Sequence, residues 1–133
     1  MTTFGTVTGT IGLLQQTRQL VTEIYQRYRL EKQVPEKCDK VNKGLDEIDR
    51  ILHELQGYDA GNMPEMGRRQ MTAIFEYVEH TKKALEAEMS KRESSSKLKR
   101  IFQARKVSQM LGERIDKLEK MVSRGLILGV AGH

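Results

Sequence analysis

PEKCDKVNKGLDEIDRILHELQG, residues 35–57, decides the fold. Cys38, Val41, Leu45, Ile48, Leu52 and Leu55 recur at alternating steps of three and four residues. That spacing places all six on one stripe of an α-helix. Between them lie Lys, Asp, Glu, Asn and Arg, so the opposite face is solvated. Pro35 suits the first helical turn and Gly57 a C-terminal stop, which predicts a helix over about 35–56.

Working outward, residues 57–67 (GYDAGNMPEMG) read as a loop, because three glycines and a proline interrupt the pattern. A third helix is expected over about 65–92, with Met71, Ile74, Phe75, Val78, Leu85 and Met89 on its apolar face. Glu76–His80, Glu79–Lys83 and Glu88–Arg92 are spaced to support it weakly. Residues 93–96 read as a break with a helix cap. A short basic helix, 97–104, is expected next, with Leu98, Ile101 and Phe102 facing inward. The last helix, about 105–124, uses Val107, Met110, Leu111, Ile115, Leu118, Met121 and Val122.

The first segment, about 2–32, is less ordinary. Phe4, Val7, Ile11, Leu14, Val21, Tyr25 and Tyr28 form a stripe, widened by Leu13, Leu20 and Ile24. Its first charge is Arg18, and before that the polar positions are Thr and Gln. Gly5, Gly9 and Gly12 each cost roughly 1 kcal/mol of helix propensity relative to Ala. The start of this helix is therefore weak in water on local grounds and must be ordered by packing or by another environment.

Four amphipathic helices with short connections predict an all-α, antiparallel four-helix bundle with a short extra helix before the last long one. The chain's 133 residues suit one domain, assigned to 1–124, with 125–133 a glycine-rich apolar tail or linker. With no Trp and 5% aromatics, the core rests on Leu, Ile, Val and Met. One cysteine, Cys38, excludes an internal disulfide and suits a reducing compartment. Packing is the ordinary role of such a cysteine; a reactive thiol is the alternative. No basic segment precedes the uncharged start as in a secretory signal, and no run reaches the roughly 18 apolar residues of a spanning helix.

Chemistry is hard to find. His53, His80 and His133 do not share metal-ligand spacing with one another or with Cys38. There is no phosphate-binding glycine loop and no nucleophile motif. Glu47/Asp49 and Glu86/Glu88 lie two apart, so on a helix they do not face each other. No catalytic residue, metal or cofactor is assigned, and the expectation is a binding protein, not an enzyme.

Charge is more telling. Lys91, Arg92, Lys97, Lys99, Arg100, Arg105 and Lys106 face a single acid, Glu93, within residues 91–106, whereas the whole chain carries only +5. The excess positive charge is thus confined to one patch. A solvated helix end is the plain reading; anionic lipid headgroups or nucleic acid are the sharper ones. Lipid ranks above nucleic acid, since only Phe102 is at hand for base stacking. Gly5 and Gly9 are spaced like small residues that let helices approach closely in a membrane. Gly125 and Gly129 repeat that spacing in the tail, where a linker is the plainer reading.

The uncharged first helix, the second-helix stripe of Cys38, Val41, Leu45, Ile48, Leu52 and Leu55, and the turn KLKRIFQA (97–104) leading into Ile115, Leu118 and Val122 resemble the HeLo-like four-helix-bundle domains, including the amino-terminal bundle of mixed-lineage kinase-domain-like pseudokinases. The resemblance spans nearly the whole chain. It implies a domain that precedes a downstream regulatory domain, rests in the cytoplasm, and acts in programmed cell death and innate immunity. On activation such a bundle forms homo-oligomers and permeabilises the plasma membrane. Phe4, Val7, Ile11 and Leu14 would then be the inserting face, Gly5 and Gly9 helix contacts, and the seven bases of 91–106 the ligands of an anionic phospholipid membrane. The first acid is Glu23, which departs from members that line a pore with early carboxylates. The alternative is a non-lytic adaptor that docks a partner helix or self-associates.

Overall fold

The computed structural model describes residues 3–58, 62–93 and 95–125, with residues 3–6 described by their backbone alone. Four helices follow in order: α1 (Thr3–Arg27), α2 (Gln33–Gln56), α3 (Glu65–Met89) and α4 (Lys97–Ser123). No strand occurs among the described residues. The expected all-α four-helix bundle is present. Its neighbours run α3–α1–α2–α4, and α3 meets α4 more thinly to close the ring. α1 is diagonal to α4 and packs on α2 and α3, whereas α2 reaches all three other helices.

Each helix is held by a stripe of buried side chains. On α2 these are Val34, Cys38, Val41, Leu45, Ile48, Ile51, Leu52 and Leu55. Complete burial of one such aliphatic side chain contributes about 1.5–3 kcal/mol. Gly44 lies in the same stripe, where a Cβ would overlap Leu118 Cδ1 of α4. Its missing side chain is what lets α2 and α4 approach so closely. Pro35 sits in the first turn as expected, and Gly57 follows the helix, but with φ −73° instead of a left-handed cap.

On α1 the buried stripe is Val7, Thr10, Leu14, Thr17, Val21 and Ile24, continued by Tyr28 just past the helix end. The three- and four-residue alternation holds throughout, but two of its positions are threonines. Ile11 is half-buried and Tyr25 is exposed (37%), so the expected stripe was rotated by part of a turn at both places. Thr17 tolerates burial because its hydroxyl donates to Leu13 O at 2.8 Å. On α3, Tyr77 and Thr81 are buried beside the expected Met71, Ile74, Val78 and Leu85.

The last region departs from expectation. Residues 97–104 are not a separate helix but the first turns of α4. Nothing between Lys97 and Leu111 breaks a helix: there is neither Gly nor Pro. Ser96 caps the whole element by accepting from Lys99 N. Leu98 (80% exposed) and Phe102 (58% exposed) point outward, against the inward orientation expected. The reason is register. Extending the buried stripe of Leu111, Val107 and Ala104 back by three or four residues reaches Arg100 and Ile101, not Leu98 or Phe102. Residues 126–133, including Gly129, lie outside the described residues.

A basic, apolar-tipped end as the candidate site

Antiparallel packing brings the C-terminus of α1, the start of α2, the end of α3 and the start of α4 to one end of the bundle. Two arginines tie these pieces together. Arg27 Nη1 donates to Lys91 O (3.1 Å) and Glu88 O (3.5 Å), covering carbonyls at the end of α3. Arg100 Nη2 donates to Arg27 O (2.9 Å) at the end of α1, and Arg100 Nη1 pairs with Glu93 at 3.3 Å. Gln103 Nε2 donates to Arg92 O (3.3 Å), fastening the α3–α4 connection to α4. Behind them, Lys37 Nζ donates to Ser108 Oγ (2.8 Å) and Ser108 O (3.1 Å), which joins α2 to α4.

The seven bases assigned to headgroup binding are brought to this end, but they divide by role. Arg100 is committed to the structure, and Lys91 pairs with Glu88 at 3.1 Å. Lys106 lies over the Phe102 ring, 4.7 Å from its centre, a cation–π contact. Arg92, Lys97, Lys99 and Arg105 are exposed and carry no ion pair with another described residue. Two further exposed bases join them, Arg29 and Lys32 of the α1–α2 connection, which the sequence reading missed. The signal was present in RYRLEK (27–32), where three bases flank one acid at a helix end.

Apolar side chains stand among these charges. Leu30 is 83% exposed, and Leu98 and Phe102 lie four residues apart on the outward face of α4. Ile101, Ala104 and Arg105 line a shallow groove with residues 31–34 of the α1–α2 connection, so the two segments adjoin.

The assigned inserting face lies elsewhere. Val7 and Leu14 are fully buried and Ile11 half-buried, all packed in the core; the side chain of Phe4 and the surroundings of Gly5 lie outside the described residues. Gly9 is exposed, with open space where a Cβ would stand, so within the bundle it supports no close helix contact. Because α1 ends at the basic end, its first turns are at the opposite end, about 30 Å away at ~1.5 Å per residue. The structure does not bring the two assigned sites together.

The remaining reactive groups have structural surroundings. Cys38 is fully buried, and burial, with Asp39 adding to it, pushes its thiol up to about 12. It is packing, not a nucleophile. Glu47 and Glu54 pair with Arg50, and Glu86 with Lys82. His53 Nδ1 lies 2.8 Å from Asp49 O within its own helix. Among the described residues no three His, Cys, Asp or Glu side chains cluster to hold a metal ion, and no helix is long and apolar enough to cross a membrane. Comparison of the chain with family models, with characterised proteins and with solved structures finds no match in any of the three.

Proposed function

We propose that this bundle docks on anionic phospholipid membranes and, following self-association there, acts as a cell-death effector by delivering α1 to the bilayer. The observation that carries the docking step is the grouping of Arg29, Lys32, Arg92, Lys97, Lys99 and Arg105 at one end without carboxylate partners. Each base near an anionic leaflet is worth about 1 kcal/mol, so six supply a strong but salt-sensitive attraction. The effector step is supported by α1 itself. Its outward side from Thr8 to Gln16 is uncharged, and two of its buried positions are threonines. Such a helix gives up less on leaving the core than an all-aliphatic one does.

A second reading is the non-lytic adaptor. The close packing of α1 against both α2 and α3 favours a fold that keeps its first helix in place.

Vesicle assays separate the readings. The chain should co-sediment with phosphatidylcholine vesicles containing phosphatidylserine, and bind them more weakly, without full release, as salt rises from about 0.1 to 1 M, where screening shortens from about 10 to 3 Å. Lys97→Glu with Lys99→Glu should abolish binding while leaving the circular dichroism unchanged. Arg100→Ala should instead lower stability, because it uncovers Arg27 O. Release of trapped dye supports the effector reading; binding without release supports the adaptor. No binding at low salt sinks the membrane reading.

A further inference from the structure

Single exposed leucines are ordinary on a soluble protein. At the basic end, however, Leu30, Leu98 and Phe102 stand exposed: Leu30 follows the unpaired Arg29, Leu98 lies between the unpaired Lys97 and Lys99, and Phe102 is one helical turn from the unpaired Arg105. The Lys106 ammonium lies 4.7 Å from the centre of the exposed Phe102 ring, so an apolar ring and a charge share one patch of surface, as at a lipid–water boundary. Among the described residues, the opposite end exposes Tyr58 (43%) and Met66 (51%), and its bases Arg68, Arg69, Lys120 and Arg124 are interleaved with Glu54, Glu65 and Glu119.

We propose that the bundle meets an anionic bilayer end-on, with Leu30, Leu98 and Phe102 entering the boundary between headgroups and acyl chains while the surrounding bases hold phosphates. This rests on the membrane-docking reading and adds to it a salt-insensitive apolar anchor and a fixed orientation. The orientation has a consequence for α1. With the C-terminus of α1 at the membrane, its first turns stand on the far side of the bundle, about 30 Å out. Docking and insertion of α1 are then separate events, because the docked bundle cannot present Val7 or Ile11 to the lipid without α1 leaving its place.

The chain contains no Trp, so a single introduced Trp reports its own surroundings. Leu30→Trp, Leu98→Trp and Phe102→Trp place one at the tip; Tyr58→Trp and Thr8→Trp place one at the far end and on the start of α1. All five positions are exposed, so the fold tolerates the change. Each variant is mixed with vesicles of four parts phosphatidylcholine to one part phosphatidylserine, with brominated acyl chains as quencher. The expected result is a blue shift and quenching at positions 30, 98 and 102, and neither at 58 or 8. Leu98→Ala with Phe102→Ala should weaken vesicle affinity at least tenfold, and the loss should persist at high salt. Quenching at 58 or 8 in place of the tip overturns the orientation. Binding without quenching anywhere overturns the apolar anchor and leaves charge-driven docking standing. If the unsubstituted chain does not bind these vesicles, or binds oligonucleotide in preference, the docking reading falls and the anchor with it.

Discussion

α1 and α2 are buried equally well for opposite local reasons. α2 carries an all-apolar stripe, and its outward face supports itself: Arg50 bridges Glu47 and Glu54, and Asp49 meets His53. α1 carries Thr10 and Thr17 within its stripe and exposes Thr8, Gly9, Gly12, Gln15, Gln16 and Gln19. Its first charge, Arg18, is spent on Asp46 of α2 at 2.5 Å. Isolated helices are marginal in water, and tertiary packing supplies most of their stability in a protein. The pair shows how far that can go: α2 brings ion pairs of its own to the bundle, and α1 borrows order from its neighbours.

The most damaging way to probe the contrast is to open matching cavities. Leu45→Ala on α2 and Leu14→Ala on α1 each remove a fully buried leucine, and each should cost about 2–5 kcal/mol. Hydrogen exchange should separate them. Leu45→Ala should lower protection everywhere, because α2 touches both α1 and α4 closely. Leu14→Ala should lower protection first in the glycine-bearing start of α1. Equal loss along all four helices in both variants would erase the distinction.

Gly44→Ala comes next. The added Cβ overlaps the Leu118 Cδ1 methyl, which must shift; overpacking of about 1–3 kcal/mol is set against the roughly 1 kcal/mol of helix propensity that Ala gains over Gly, so a net loss of up to about 2 kcal/mol is expected. Thermal melting reads it directly, and restoration by a second change, Leu118→Ala, would identify the α2–α4 contact as the cause. Gly44 thus belongs to the strong helix although its propensity is poor.

These two helices also show what the sequence discloses. The α2 stripe was readable because every buried position is apolar and every intervening one polar. On α1 the same periodicity was obscured, since Thr10 and Thr17 count as polar in any pattern, whereas Tyr25 counts as apolar yet lies exposed. At α4 the apolar residues Leu98 and Phe102 mislead in the other direction: their types suggest an inward-facing turn, and nothing local distinguishes an apolar side chain that packs from one that stays exposed. The basic patch was legible as a run, but its extent was not. Arg29, Leu30 and Lys32 come from a connection some sixty residues earlier and join it only when the helices fold antiparallel.

A milder change sharpens the contrast from the α1 side. Thr17→Val keeps the side-chain shape and removes a hydroxyl whose bond to Leu13 O is local to the helix. No buried donor is left without a partner, and apolar burial rises, so stability should increase by up to about 1 kcal/mol. A fall in melting temperature would mean that the hydroxyl serves a contact between helices.

The smallest effect is the most informative for function. Gly9 and Gly12 face open space, so a methyl group at either meets nothing. Gly9→Ala and Gly12→Ala should each stabilise α1 by about 0.5–1 kcal/mol through helix propensity alone. Such a change acts on α1 whether it is packed in the bundle or free as a helix, but not when it is unfolded. If α1 leaves the core as a helix, dye release should proceed unhindered in the double variant. If α1 must first unwind, release should slow about fivefold to thirtyfold for the pair at unchanged vesicle binding. Measuring leakage and binding side by side therefore shows in which form a helix that depends on its neighbours is able to part from them.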